Sequence, residues 1–140
     1  MNALLAAQFA AVLTVVFAGI SLHQLLTPFA LLEKKTAEFA TAVQEFPQPR
    51  LWPFRMVLYG ALPLLYLGLL GQARLSVMAV GFMAVKLGIS SGLSLWLEGR
   101  LLAGRPYTVV MHRLGLADSV INIGVAIFIV QQLLFARGAE

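Results

Sequence analysis

The sequence predicts an all-α, polytopic membrane protein: a four-transmembrane-helix bundle with an amphipathic interfacial helix between the first two spans. Three observations predict this class. Hydrophobic residues form 60% of the 140-residue chain and charged residues only 11%, whereas a soluble domain has about 45–50% and about 25%. Four apolar stretches reach the length of roughly 17–25 residues that a spanning helix needs. Most of the basic residues gather between these stretches.

The four predicted spans cover residues 3–26, 53–73, 75–97 and 114–136. A single helix cannot form a core alone, so we expect one integral membrane domain, residues 1–140. The first apolar run lacks the basic flank of a cleavable signal peptide, which indicates a retained span. A tight turn at residues 71–74 joins the second and third spans and makes them antiparallel neighbours. Pro63 is expected to distort the second span, because proline removes a backbone donor.

The segment between the first two spans predicts a helix of its own. Thr27 followed by Pro28 is typical of a helix start. The apolar positions that follow share one helical face: Leu32, Phe39, Val43 and Phe46. Such a helix lies in the cytoplasmic interface with its apolar side toward the acyl chains. The alternative is a first span that continues into the cytoplasm and packs on partner helices.

The distribution of basic residues predicts the orientation. Loops 27–55 and 98–113 hold seven of the ten lysines and arginines, and the opposite face holds only Arg74 and Arg137. By the positive-inside rule both loops are cytoplasmic and both termini lie outside. The membrane itself is expected to be a bacterial inner membrane. The basic loops then meet anionic lipid headgroups, so lipids rather than nucleic acid are the expected partners.

Lys86 lies at the centre of the third span, with eleven residues on either side. A cation at that depth costs roughly 2.5–3.5 kcal/mol on insertion scales, so it requires a counter-charge or water. Three polar residues follow at four-residue steps, which trace a shallow spiral toward the cytoplasmic surface: Ser90, Ser94 and Glu98. Such a spiral can line a path for protons or ions. Alternatively, the lysine snorkels or pairs with a neighbouring helix.

Asp118 is the second candidate for a buried charge, with Asn122 one turn deeper on the same face of the fourth span. The axial distance from Asp118 to Lys86 is about 10 Å at 1.5 Å per residue. Helical side chains lean toward their own N-terminus, which carries the lysine away from the carboxylate. This lean argues against a direct ion pair, which would need the lysine to reach toward the cytoplasm, and water or Asn122 is an alternative bridge. Alternatively, Asp118 is a helix N-terminal charge that the helix dipole stabilises.

Small residues in the third span predict close helix packing. The GxxxG pair and the glycine seven residues before it are Gly88, Gly92 and Gly81. Small residues let membrane helices approach closely, either within one chain or between copies. A homo-oligomer or a larger membrane complex is therefore expected.

Few residues suggest chemistry. The chain has no cysteine, which excludes disulfides and thiolate sites. His23 and His112 are weak candidates for axial haem ligands, and we expect no cofactor and no metal. The third-loop arginines are candidates for binding a headgroup or another anion: Arg100, Arg105 and Arg113. No catalytic residues are assigned.

Three classes of function fit these patterns. The first is a small non-enzymatic membrane subunit or accessory protein that acts through helix packing in a homo- or hetero-oligomer. The second is a proton- or ion-conducting element, part of a transport function, that uses Lys86, Glu98 and Asp118. The third is an enzyme on a lipid or amphipathic substrate at the cytoplasmic interface, which would use the histidines or the third-loop arginines. The scarcity of polar sequence outside the spans favours the first class.

Cysteine labelling tests the predicted topology. In intact cells, Asn2→Cys and Gly138→Cys should react with a membrane-impermeant thiol reagent, and Thr41→Cys should react only after permeabilisation. The native chain has no cysteine, so each variant reports one position. Labelling at residue 41 but not at the ends would show that the orientation is inverted.

Overall fold

The computed structural model describes residues 2–45 and 48–137, and in these the chain folds into five helices. The third helix, α3, is continuous but changes type along its length: an α-helix Gln48–Met56, a π-helical turn Val57–Ala61 and an α-helix Leu62–Gln72. The other four are α1 Ala3–Leu26, α2 Phe29–Gln44, α4 Val77–Leu102 and α5 Val109–Arg137.

Four of these helices are long and apolar enough to cross a membrane, which confirms the number and order of the predicted spans. The segments with this length and composition are Ala3–Leu26, Leu51–Gln72, Val77–Leu102 and Val109–Phe135. Three helices extend beyond the predicted spans, since α3 begins five residues before 53, α4 continues five residues past 97 and α5 begins five residues before 114. The predicted spans stopped at the first charges, but backbone hydrogen bonds continue through charged residues at a helix end.

The four long helices α1, α3, α4 and α5 run through the bundle in alternating directions. α1 packs most extensively on α5 and then on α3, and α3 packs on α4, whereas α4 and α5 approach each other closely at few points. We call the end that holds α2 and residues 103–108 the loop end. The opposite end, which holds the start of α1 and the α3–α4 turn, is the terminal end.

The apolar core of the bundle lies toward the terminal end. It combines the first half of α1, the second half of α3, the first turns of α4 and the last turns of α5. In a membrane this core is stabilised mainly by close packing, since lipid tails are as apolar as the side chains. The core residues are Ala6, Ala7, Ala10, Tyr66, Leu69, Leu70, Ala73, Leu75, Ala79, Met83, Ile129 and Leu133.

Left-handed residues end two of the helices and so produce the antiparallel turns. Arg74 has φ 60° after α3, and the N–H of Leu75 donates to the carbonyl of Leu70 at 3.3 Å. Gly104 has φ 73° after α4, and the N–H of Arg105 donates to the carbonyl of Arg100 at 3.0 Å. Both patterns satisfy carbonyls that the helix end would leave unpaired.

The distortion predicted at Pro63 is a π-helical turn that precedes it, Val57–Ala61. Proline has no N–H and its ring crowds the carbonyl four residues earlier, which belongs to Tyr59. The extra residue in the turn relieves this crowding and rotates the helix on either side. Such turns inside α-helices concentrate at functional sites.

α2 is a separate helix and does not continue α1, because the backbone becomes extended at Thr27 and Pro28 before Phe29 begins the new helix. It packs near the end of α4. Val43 is buried, whereas Phe39 remains 49% exposed. Leu32 is half-buried, and Phe46 lies outside the described residues.

Packing in the core can be tested with two matched leucines of α3. Leu70 is fully buried, whereas Leu64 is 69% exposed. Leu70→Ala leaves a cavity in the bundle, and we expect it to destabilise the fold by about 2 kcal/mol or more. Leu64→Ala should change little, since lipid or detergent fills the space. Thermal unfolding in mild detergent measures both, and equal melting temperatures would contradict this core.

Candidate functional site

Lys86 and Asp118 form a direct ion pair in the interior of the bundle. The lysine Nζ donates to Asp118 Oδ1 at 2.8 Å and also to the hydroxyl of Ser90. Ser90 in turn donates to the same carboxylate oxygen at 2.9 Å, and the Asn122 amide donates to Asp118 Oδ2 at 3.0 Å. The side chains are 9% and 22% exposed for the lysine and the aspartate. These four residues are called the charged centre below.

The direction of the lysine's Cα–Cβ bond, which argued against a direct pair, does not prevent one. Only the Cα–Cβ bond of Lys86 is directed toward the helix N-terminus. Beyond it the flexible side chain turns toward the loop end, where its ammonium reaches Ser90, four residues later on α4, and the carboxylate. In a low-dielectric interior the attraction between opposite charges outweighs the weak preference in side-chain direction. Asn122 also binds the carboxylate, but beside the lysine and not between the charges.

The charged centre lines a partly open cavity of about 260 Å³, to which all four long apolar helices contribute. This volume exceeds by far what one water molecule needs. It lies just below the range of about 300–1,000 Å³ typical of sites for drug-sized ligands. The polar lining beyond the charged centre is Thr14, Ser21, Gln24, Tyr59, Tyr66, Ser91 and Ser94.

Three hydroxyls of this lining make no hydrogen bond to any part of the chain that the structure describes: Ser21, Ser91 and Ser94. The ammonium of Lys86 has three N–H groups and uses two of them on Ser90 and Asp118. Polar groups in a membrane interior need partners, because lipid tails offer none. The cavity is therefore suited to water or to a small polar solute.

A hydrogen bond between α1 and α3 forms the floor of the cavity. The Thr14 hydroxyl donates to the carbonyl of Ala10 at 2.7 Å, so its 2.6 Å contact with the Tyr66 hydroxyl has the tyrosine as donor. Phe17 meets the Tyr66 ring edge-on at a centroid distance of 5.9 Å. Below this contact lies the apolar core, so the polar lining ends here.

A second ion pair lies between the cavity and the loop end. Arg55 Nε donates to Glu98 Oε1 at 2.9 Å and joins α3 to α4. Tyr59, which lines the cavity, lies beside Glu98. The predicted spiral is therefore partly realised: Ser90 belongs to the charged centre and Ser94 lines the cavity, whereas Glu98 binds a residue of α3.

The close contact between α1 and α5 includes a different glycine from those predicted. At Gly115 an added Cβ would lie 2.6 Å from Nε2 of Gln24, so a larger residue there would displace the end of this flexible side chain. The Ser119 hydroxyl donates to Gln24 Oε1 at 3.1 Å and holds it in place. The absence of a side chain at Gly115 thus permits a polar link between the helices.

The predicted packing glycines make no such contact within the chain. An added Cβ would have no described atom within 4 Å at these positions: Gly81, Gly88 and Gly92. They lie on exposed parts of α4, while the buried face of that helix carries Lys86 and Met83. Contact between these glycines and another chain stays a prediction.

The three arginines expected to bind anions belong to three different elements. Arg100 lies on α4, with its guanidinium 5.2 Å from the centroid of the Trp96 ring. Arg105, in the segment between α4 and α5, lines a groove beside α2. Arg113 is exposed on α5. Their placement on separate elements does not favour one common anion site.

The two histidines also occupy separate positions. His23 is exposed in the last turn of α1. His112 packs edge-on against Phe29 and Tyr107, with centroid distances of 5.4 and 6.2 Å. Burial raises the pKa of the Tyr107 phenol, which therefore stays neutral near pH 7. Among residues 2–45 and 48–137, no three His, Asp or Glu side chains form a group that could hold a metal ion.

Comparison with protein-family models, with curated proteins and with solved structures finds no match for this chain.

The residues of α1 and α3 that complete the cavity were not found from the sequence. Thr14, Ser21 and Gln24 fall at offsets of 0, 7 and 10, which is one helical face within an apolar span. This spacing could have indicated a polar face of α1 that points into the bundle. Tyr59 and Tyr66 carry no comparable signal, because tyrosine is common near membrane interfaces and packs equally well in a core.

Hydration of the cavity can be measured with single cysteines. Ser94→Cys places a thiol in the cavity lining, and Ile89→Cys places one on a surface that is 62% exposed and apolar. A thiol must ionise in water to react. In membranes, the residue 94 variant should therefore react with a small water-soluble methanethiosulfonate much faster than the residue 89 variant. Equal slow reaction at both positions would show that the cavity is dry.

Proposed function

We propose that this chain is a proton-conducting element of a membrane, with the charged centre as its proton-binding site. The observation that carries the proposal is the ion pair of Lys86 and Asp118 within a polar cavity. Both side chains exchange protons, and hydroxyls surround them. Intramembrane ionisable residues that face a polar cavity commonly mark proton relays.

The asymmetry of the cavity supports a site that protons reach from one end. Polar groups lead from the charged centre toward the loop end, whereas the Thr14–Tyr66 contact and the apolar core close the terminal end. In this conformation the charged centre receives protons from the loop end. Transfer to the other side then requires the core to open.

The chemistry at the charged centre is a change of partner around one carboxylate. A proton that enters the cavity binds Asp118, and the neutral acid no longer balances the charge of Lys86. Ser90 and water in the cavity then hydrate the ammonium. When the proton leaves, the carboxylate again accepts hydrogen bonds from Lys86, Ser90 and Asn122, which is the arrangement observed here.

The loop end is proposed to face the cytoplasm of a bacterial cell, with both termini outside. The proposal rests on the seven basic residues at that end against two at the other. α2, which follows α1 after a backbone break, would then lie in the interface among anionic headgroups. Its exposed Phe39 and the exposed pair Lys34–Glu38 fit such a position.

A second candidate is the non-enzymatic subunit that acts through helix packing. One observation favours it: α4 and α5 meet closely at few points, and the ion pair of Lys86 and Asp118 links them. In that case the ion pair is a structural link between the two helices, and the cavity only holds water that hydrates the charges. The two candidates differ in what happens when both charges are removed together.

Proton flux into proteoliposomes separates the candidates. The vesicles contain a pH-sensitive dye, and a potassium gradient with valinomycin supplies the driving force. The double variant Lys86→Met/Asp118→Asn leaves no unpaired buried charge, so it should fold. We expect its initial rate of proton uptake to fall by about tenfold or more, since it lacks both proton-exchanging groups.

The matched control is Lys34→Met, which makes the same change at a lysine whose side chain is 74% exposed. It should conduct protons as the native chain does. A native chain no faster than empty vesicles contradicts the proposed function and favours the packing candidate. A double variant as fast as the native chain would show that the charged centre carries no protons.

A further inference from the structure

The pair of Arg55 and Glu98 is a second ionisable site that the charged centre does not include. Its side chains are 21% and 14% exposed for the arginine and the glutamate. Oε1 of the glutamate accepts from Arg55, whereas Oε2 is buried and has no hydrogen bond of good geometry in the described chain, although the Tyr59 phenol lies close to this carboxylate. Buried polar atoms without a hydrogen bond of good geometry are rare in folded proteins, so this oxygen needs an explanation.

The free oxygen Oε2 of Glu98 can accept a proton while Oε1 keeps its bond to Arg55. The ionisable groups beside the glutamate are Arg55 and Tyr59, both from α3. The arginine keeps its charge at any ordinary pH. Glu98 can therefore alternate between carboxylate and neutral acid while the contact between the two helices persists.

Hydroxyl groups connect this site to the charged centre. Tyr59 lies beside Glu98 and also lines the cavity. Ser94 precedes Glu98 by four residues on α4 and lines the cavity as well, and Ser90, four residues earlier again, hydrogen-bonds to Asp118. Each four-residue step advances about 6 Å along the helix axis, a distance that a water molecule between two hydroxyls can span.

The π-helical turn Val57–Ala61 contains Tyr59. Without the extra residue of this turn, every side chain of α3 on one side of it would be rotated by about 100° relative to the other side. The turn therefore lets α3 present Arg55 toward α4 at the loop end and Tyr66 toward Thr14 at the cavity floor. This gives the turn a role in joining the two ionisable sites.

We propose that Glu98 is the proton relay between solution at the loop end and the charged centre. A hydronium ion or a buffer acid gives one proton to Oε2, and the carboxylate becomes a neutral acid. The same proton then passes through hydroxyls and water to the carboxylate of Asp118, and Glu98 returns to its charged form. One proton enters and one leaves, and no electron is transferred. This relay rests on the proposed function.

The relay is tested by proton flux in proteoliposomes of the full chain, with four variants compared with the native chain. Glu98→Gln removes the proton acceptor, and Arg55→Gln removes the ion pair but keeps the carboxylate. Glu98→Asp keeps an acidic group. Glu38→Gln is the matched control, because its carboxylate is 66% exposed on α2.

We expect Glu98→Gln to lower the initial rate by about tenfold or more. Arg55→Gln should keep most of the native rate, Glu98→Asp should restore part of the loss, and Glu38→Gln should change nothing. A purely structural ion pair gives a different pattern, since both partners would then be equally sensitive. Equal losses in Glu98→Gln and Arg55→Gln therefore overturn the relay.

Failure of the relay and failure of the proposed function give different results. If the native chain conducts and Glu98→Gln conducts equally fast, the relay is wrong while the charged centre remains the proton site. If the native chain does not exceed empty vesicles, the proposed function is wrong and the relay with it. Should Glu98→Gln fail to fold, the double variant Tyr59→Phe/Ser94→Ala removes both hydroxyls that connect Glu98 to the charged centre, and an unchanged rate in that variant overturns the relay.

Discussion

The ion pair of Lys86 and Asp118 constrains the arrangement of the bundle more than any other contact. A lysine ammonium within the membrane requires an opposite charge, and the described interior supplies that charge from α5. To bring the two side chains together, α4 must turn its Lys86 face inward and α5 must turn Asp118 toward it. The exposed position of the α4 glycines follows from this rotation.

The same pair accounts for the cavity. Two membrane helices that pack through small apolar side chains bring their backbones together. A lysine and an aspartate with their hydrogen-bonding neighbours occupy more width, so α4 and α5 meet closely at few points. α1 compensates on the other side, where Gly115 admits Gln24 and the contact with α5 is extensive. The bundle is thus tight along α1 and open near the charges.

Polarity changes along the bundle axis, and the change takes place within a few residues. Arg55 with Glu98 lies at the loop end, the charged centre follows, and Thr14 with Tyr66 marks the last polar contact. Beyond it the helices pack through alanine, leucine and isoleucine. In the proposed membrane orientation, this gradient places the buried charges nearer the loop end than the terminal end. The proposed proton pathway and its closed end both derive from that gradient.

The sequence by itself determined the class of the fold, the four spans and the residues of the charged centre. These follow from local quantities, because the length of an apolar run, the spacing of polar residues and the bias of basic residues are all read along one chain. Lys86, Ser90, Asp118 and Asn122 were all identified as polar exceptions within apolar spans. Their direct contact was not foreseen, since the direction of a Cβ bond is a local rule and the position of a counter-charge is not.

The tertiary structure alone decided how the helices are rotated and therefore which side chains share a space. It brought the hydroxyls of Thr14 and Tyr66 to 2.6 Å from each other, although the two residues are 52 positions apart in the chain. It also paired Glu98 with Arg55, which are 43 positions apart. It also selected Gly115 as the close contact in place of Gly88 and Gly92. Each of these depends on the packing of several helices at once. The periodicity of a single helix records which face is polar, but it contains no information on the partner that this face will meet.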